Sequence, residues 1–310
     1  MKQQLILIAV ILLLTACTTK QNISCLTEHL PVVINHELAR DVELLSAPLM
    51  AGRKAGTEGS VLARKHIIER FKHLSIPAYF SNYEQPFDLP NGERGVNVVA
   101  LLKGSTLPNK IIVVTAHYDH LGERAGRIYL GADDNATGVA AMLALARALV
   151  DNPPRTSVLF VATDAEEKGL LGAKALLNQG VNIEHEIVFN YNLDMLGRAK
   201  RMYFLSSTGK QADLSQQIFA IATICSVHRR FHRDKVTGRQ VDYLRASDHW
   251  AFAKKDIDFL FVGGADHRDY HLPSDSPDKI LKQQFSQISR NIVEIFLLIE
   301  QQVQSQYSTG

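Results

Sequence analysis

The sequence predicts a single α/β domain: a mostly parallel central sheet with helices on both faces. Three observations carry that expectation. Short, fully apolar, β-branched runs alternate with helical stretches from Val96 onward. Strands buried on both faces read as continuous apolar runs rather than alternating ones. Hydrophobic residues make up 46% of the 310 and charged residues 21%, enough to bury a sizeable core. Glycine (19), proline (10) and the absence of any repeat exclude fibrous and low-complexity chains.

The apolar runs Val96–Leu102, Ile111–Thr115, Val158–Val161, Ile187–Leu193 and Phe259–Val262 are the expected strands. The expected helices are His36–Ser46, Val61–Leu74, Thr137–Val150, Leu170–Leu177, Leu214–Ile224 and Ile280–Gln302. Thr57 is placed to cap the second of these. Leu49–Gly59, with Gly52, Gly56 and Gly59, reads as a loop. No linker interrupts the chain after Val96.

Residues 1–16 read as an export signal. Lys2 precedes an apolar run, Leu5–Leu14, of a length typical of a signal core and too short to span a bilayer. Leu14-Thr15-Ala16-Cys17 resembles a lipobox, so Cys17 is expected to carry the lipid of a bacterial lipoprotein. Thr18 is not Asp, and by resemblance to Gram-negative lipoproteins the expected destination, in a Gram-negative host, is the outer membrane facing the periplasm. Residues 17–35 are expected to act as a tether and residues 36–310 to form the domain. Cys25 and Cys225 remain in an exported, oxidising setting; they either pair or stay as thiols.

Lys+Arg (34) and Asp+Glu (32) leave a formal charge of +2, which gives nucleic acid no electrostatic footprint. There is no nucleophile-elbow Gly-x-Ser-x-Gly and no phosphate-binding loop.

Chemistry-bearing residues collect where the apolar runs end. Ile111–Thr115 leads into His117-Tyr118-Asp119-His120, and Val158–Val161 into Asp164-Ala165-Glu166-Glu167. Ile187–Leu193 ends directly on Asp194, and Phe259–Val262 leads to Tyr270-His271-Leu272-Pro273-Ser274-Asp275. Gly131-Ala132-Asp133-Asp134-Asn135-Ala136-Thr137-Gly138 opens a helix between the first two. In open α/β sheets ligands bind beyond the carboxyl ends of the strands. Buried carboxylates without partners are costly, so imidazoles and carboxylates converging on one edge call for a cation. Taken singly, Asp133 and Asp134 could cap a helix and His117 could be a core histidine; the set favours metal.

These motifs, in this order, resemble the co-catalytic dizinc aminopeptidases of metallopeptidase family twenty-eight. Leu49-Met50-Ala51-Gly52-Arg53 and Gly56-Thr57-x-Gly59 look like that family's upstream segment, so the resemblance runs from about Leu44 to the C-terminus. It implies two Zn2+ ions per chain and peptide substrates cut at the first bond. By position, Asp133 would bridge the metals, His117 and Asp194 would complete one site, and Glu167 and His271 the other. Glu166 would be the general base. Asp119 would fix the tautomer of His117, and Asp134 would position the bridge. Manganese or cobalt suits the same donors.

His120, His249 and His267 are expected behind the ligands or at the surface. Tyr243, ahead of Ser247-Asp248-His249, is either an oxyanion donor or a pocket wall, and Met195 is expected to line the pocket. Larger relatives insert a protease-associated domain, for which Gly95 to Ile111 is too short. A glutaminyl cyclase, with this fold and one zinc, is the rival enzyme. A non-catalytic binding ectodomain is the rival from another class, and such members usually lose ligands that this chain retains.

Overall fold

The computed structural model describes residues 23–24, 35–179, 186–198, 201–207, 212–221, 226–228, 230–233 and 240–307. The signal and lipobox residues, Cys25 and Cys225 lie outside the described residues. No described helix is long and apolar enough to cross a membrane.

In chain order the elements are β1 (Ile23–Ser24), α1 (His36–Leu45), α2 (Glu58–His73), β2 (Glu84–Asp88), β3 (Arg94–Leu102) and β4 (Leu107–His117). A small hairpin, β5 (Gly122–Arg124) and β6 (Arg127–Tyr129), precedes α3 (Gly138–Asp151), β7 (Thr156–Thr163), α4 (Leu171–Gln179) and β8 (Glu186–Asp194). Then come β9 (Met202–Ser206), α5 (Ala212–Ile221), β10 (Ser226–His228), the ribbon β11 (Phe231–Arg233) and β12 (Gln240–Asp242), α6 (His249–Ala253), β13 (Asp258–Gly263) and α7 (Lys282–Tyr307).

The large sheet runs β1-β10-β9-β13-β8-β4-β7-β3-β2. Its centre, β13-β8-β4-β7, is parallel. The flanks turn antiparallel: β3 against β7, β2 against β3, and β9 against β13. At the far edge, Ile23–Ser24 pairs antiparallel with Ser226–Val227, inside the stretch expected to be a tether.

The central strands alternate sides by the period of two. Ile112, Val114 and Ala116 of β4, with Val158, Phe160 and Ala162 of β7, pack under α3 and α7. Ile111, Val113, Leu159 and Val161 face the opposite way, against α4 and α6. Both faces of the sheet are therefore covered, as the apolar runs predict. A sheet so covered directs its loops to the strand ends, where β4, β7, β8 and β13 deliver their last residues to one edge.

The stretch 49–59 departs from the expected loop. Pro48–Arg53 winds as a 3-10 turn and α2 begins at Glu58. Thr57 holds the N-cap position, but its hydroxyl donates to the Lys54 carbonyl and caps no helix N–H. Gly59 lies in the helix because a Cβ there would come 2.0 Å from the Met50 carbonyl oxygen. The glycine signal thus reports close packing as well as a turn.

Candidate metal centre

His117 is the last residue of β4 and is 2% exposed. Its Nε2 stands 3.4 Å from Asp134 Oδ1 and 3.5 Å from Asp194 Oδ1, where β8 ends. The other oxygen of Asp134 faces His271 Nε2 at 3.1 Å and His120 Nδ1 at 3.7 Å. Glu167 Oε1 lies 3.0 Å from His120 Nδ1 and 3.3 Å from His271 Nε2. Asp134 therefore stands between two donor sets: His117 with Asp194 on one side, and His120, His271 and Glu167 on the other. Two compact groups, His117–Asp134–Asp194 and His120–Asp134–Glu167, share it.

This places Asp134 where the sequence analysis puts Asp133. The Asp133 carboxylate is committed to the protein. Oδ1 accepts from Gly197 N (2.6 Å) and Thr137 Oγ1 (3.1 Å), and Oδ2 faces His267 Nε2 at 3.2 Å. The loop is non-helical at Asp134 (φ −106°, ψ 92°) and Asn135, so consecutive side chains diverge. Asp275 steadies the pair by accepting from both main-chain N–H groups, Asp133 at 3.0 Å and Asp134 at 3.1 Å. Asn135 pins the loop to the end of β8, donating to Leu193 O and accepting from Met195 N.

Asp119 also differs from expectation. The group nearest His117 Nδ1 is the Asp119 main-chain oxygen at 3.2 Å, with the carboxylate 3.8 Å away. The carboxylate instead accepts from Glu166 N at 3.0 Å, anchoring the loop that carries the glutamates. His120, expected behind the ligands, is fully buried between Asp134 and Glu167. Its signal was the His-x-x-His spacing at the strand end. His267 backs Asp133, and His249 lies away from the donors against Phe259 and Phe261.

Several donor atoms at this edge are buried with no hydrogen-bond partner: Asp134 Oδ2, Glu167 Oε1, Asp194 Oδ1 and both nitrogens of His120. Oxygen and nitrogen donors gathered without hydrogen-bond partners fit a divalent cation such as zinc. In the polypeptide alone, burial pushes the Glu166 carboxyl well up, and the like charges of Asp248, Asp194 and Glu167 add to this. Burial opposes the His117 imidazolium, yet Glu166 and Asp194 raise its pKa well above the ordinary value. Burial likewise opposes the Asp134 carboxylate, but His120, His117 and His271 pull its pKa well below the usual range.

The donors open onto a cleft of about 370 Å³. Glu166 lines it, and Met195, Tyr243 and Phe261 supply apolar surface to the same cleft. Tyr243 stacks between Tyr203 and Phe261, with ring centroids 6.1 and 5.7 Å away.

The chain is similar to aminopeptidase YwaD of Bacillus subtilis, 29% identical over 203 residues, covering 62% of this chain and 42% of the relative. It is 29% identical over 178 residues to the alkaline phosphatase isozyme conversion protein of Escherichia coli, covering 52% of this chain and 51% of that protein. A probable zinc metalloprotease of Pyrenophora teres is 36% identical over 111 residues, covering 33% of this chain and 23% of that protein. The chain thus spans between about a quarter and a half of these relatives' lengths. Among solved structures, the zinc aminopeptidase BSAP from Bacillus subtilis superposes with a TM-score of 0.67 at 16% identity, covering 85% of this chain and 94% of that one. The Fimbriiglobus ruber glutaminyl cyclase gives 0.66 at 18%, covering 87% and 97%. These two show the fold. The sequence model of peptidase family M28 matches residues 97–296, more than half of the chain, and the chain belongs to that family.

Proposed function

We propose that the chain is an aminopeptidase that holds two zinc ions and removes N-terminal residues from peptides. One observation carries the reading: two donor sets share Asp134, with orphaned buried donor atoms on both sides, and His117, Asp134, Glu167, Asp194 and His271 line a cleft. His117, Asp134 and Asp194 would hold one ion. Asp134, Glu167 and a histidine, His120 or His271, would hold the other. Bound zinc supplies Lewis acidity, which acidifies water and polarises a carbonyl.

The rest falls to the protein. Glu166, held by the Asp119 contact to its main chain, takes the proton of the attacking water on its carboxylate. It then gives that proton to the leaving amine. Met195, Tyr243 and Phe261 receive the N-terminal side chain, and the carboxylates of the cleft attract the free α-ammonium group.

A panel of aminoacyl amides, with metal analysis alongside, tests this. About two zinc ions per chain, activity lost on chelation and activity restored by zinc are expected. At most one ion in active, folded protein overturns the two-metal reading. Cyclisation of N-terminal glutamine in place of hydrolysis would favour the glutaminyl cyclase reading.

Cys17 is also proposed to anchor the protein by lipid to the cell envelope, on its lipobox-like context. Cys17→Ser should then leave the membrane fraction or remain unprocessed. A variant that fractionates and matures like the parent removes that proposal.

A further inference from the structure

Arg53 is 0% exposed and heads the large fully buried side chains. A guanidinium stays protonated under any physiological condition. Burying its charge is costly, and the common remedy is a bidentate carboxylate. Arg53 uses four main-chain carbonyls instead. Nε donates to Tyr118 O (2.7 Å), one terminal nitrogen to Leu45 O (2.6 Å) and Leu130 O (2.7 Å), and the other to Gly131 O (2.8 Å).

The choice of carbonyls is specific. Tyr118 separates His117 from Asp119 and His120 at the end of β4. Leu130 and Gly131 lead into Asp133 and Asp134. Leu45 ends α1. One planar group thus clamps both ligand-bearing loops to a helix, and the main-chain oxygen of Arg53 accepts from His120 N at 3.4 Å. The carboxylates whose charge reaches Arg53 are those of the centre: Asp134, Asp119, Asp275 and Glu167. Four anions within one edge repel each other, and a fixed cation behind them offsets the repulsion when no metal is bound.

We propose that Arg53 is a positioning residue of the metal centre. Its fork sets the spacing between the His117 strand end and the Asp134 loop, and its charge holds the empty ligand set together so that metal meets a formed site. This rests on the metal-centre reading above. A plain folding staple would need neither the ligand-loop carbonyls nor the charge of the centre's carboxylates.

Arg53→Lys separates the two roles. It keeps the charge but presents a point donor that cannot span three segments. Zinc affinity, read by competition with a chromophoric chelator, should fall about 10–100-fold. The circular dichroism spectrum should be unchanged, and excess zinc should restore kcat. Wild-type zinc affinity with only a lowered Tm makes Arg53 a staple and overturns the proposal. If Arg53→Lys does not fold, the wild-type protein labelled with 15Nε-arginine decides. The protected Arg53 Nε–H resonance should move as zinc loads the metal-free protein; a resonance indifferent to zinc overturns the proposal. A wild-type chain that binds no zinc sinks the metal centre itself and this inference with it.

Discussion

The two ends of β7 offer a direct comparison. At the amino end, Glu300 reaches down from α7, 8% exposed, and one oxygen accepts from Arg155 N (2.6 Å) and Thr156 N (3.0 Å). Just past the carboxyl end, Glu166 and Glu167 are half-buried, and Glu167 Oε1 finds no hydrogen-bond donor. The residue type is the same and the difference is where the charge goes. At one end it satisfies main-chain N–H groups that would otherwise be orphaned. At the other it is left for a cation or a proton. A buried carboxylate oxygen that accepts from main-chain N–H groups is accounted for by the fold; one left without such donors among imidazoles calls for a cation.

The sharpest break of this comparison falls on the two adjacent aspartates. Asp134→Ala removes the group shared by both donor sets. It should strip both metals and abolish activity, a loss at least as large as the ~10²–10⁴-fold of a missing general base. Asp133→Asn keeps the contacts to Gly197 N and Thr137 and loses the charge and the oxygen that faces His267. It should cost about 10–100-fold in metal affinity. Metal analysis of both variants decides. If Asp133→Asn loses all metal while Asp134→Ala retains it, the structural assignment is reversed.

Glu166→Gln keeps the shape and removes the proton acceptor. Metal content should stay near wild type while kcat falls roughly 10²–10⁴-fold. Near-normal hydrolysis would leave a metal site without this mechanism. Loss of metal from this variant, with retention in Glu167→Gln, would exchange the roles of the two glutamates.

How far the sequence foretells these results depends on how much packing each segment has. β4, β7, β8 and β13 are buried on both faces, so apolar runs betray them. β10 and β2 lie toward the sheet's edges, where short or mixed stretches suffice, whereas β9 carries the apolar run Met202–Leu205, which is absent from the expected strands. The direction of β3 was not legible either, because an apolar run looks the same parallel or antiparallel. At the site, the strand-end positions of His117 and Asp194 were legible. The choice between Asp133 and Asp134 was not, because an irregular loop imposes no period. His120 looked redundant beside a full set of five ligands. Arg53 stood inside a glycine-rich motif, and nothing local says that an arginine will be wholly enclosed.

Glu300→Ala tests the quiet end of β7. It orphans the Thr156 N–H in a buried setting, which should cost roughly 1–3 kcal/mol of stability. Metal content and kcat should remain at wild-type values. Denaturant titration gives the first and steady-state kinetics the second. A fall in metal content would mean that the two ends of the strand are coupled and the contrast between them is not local.

The smallest effect extends the comparison to imidazoles. His120 and His249 are both buried, but His120 faces Asp134 and Glu167, whereas His249 packs on Phe259 and Phe261 and donates from Nε2 to Tyr243 O at 2.7 Å. Burial lowers the pKa of His249 to about 4. The folded pKa lies below the unfolded value of about 6.5, so the unfolded chain takes up the proton first. The associated stability is complete above pH ~6.5 and is lost as the pH falls toward ~4; at pH ~5.5 about 1.4 kcal/mol has gone. His249→Phe keeps a ring in the aromatic stack and removes the Nε2 donor to the Tyr243 carbonyl, which then keeps the Ala246 N–H at 3.4 Å; that cost is nearly independent of pH. Every other titrating group is common to both proteins, so the difference between their unfolding free energies isolates His249. The deficit of the variant at pH ~7.5 should shrink by about 1.4 kcal/mol at pH ~5.5. Parallel stability curves over that interval would mean that His249 is not held neutral by its apolar surroundings, and the distinction between the two histidines would fail.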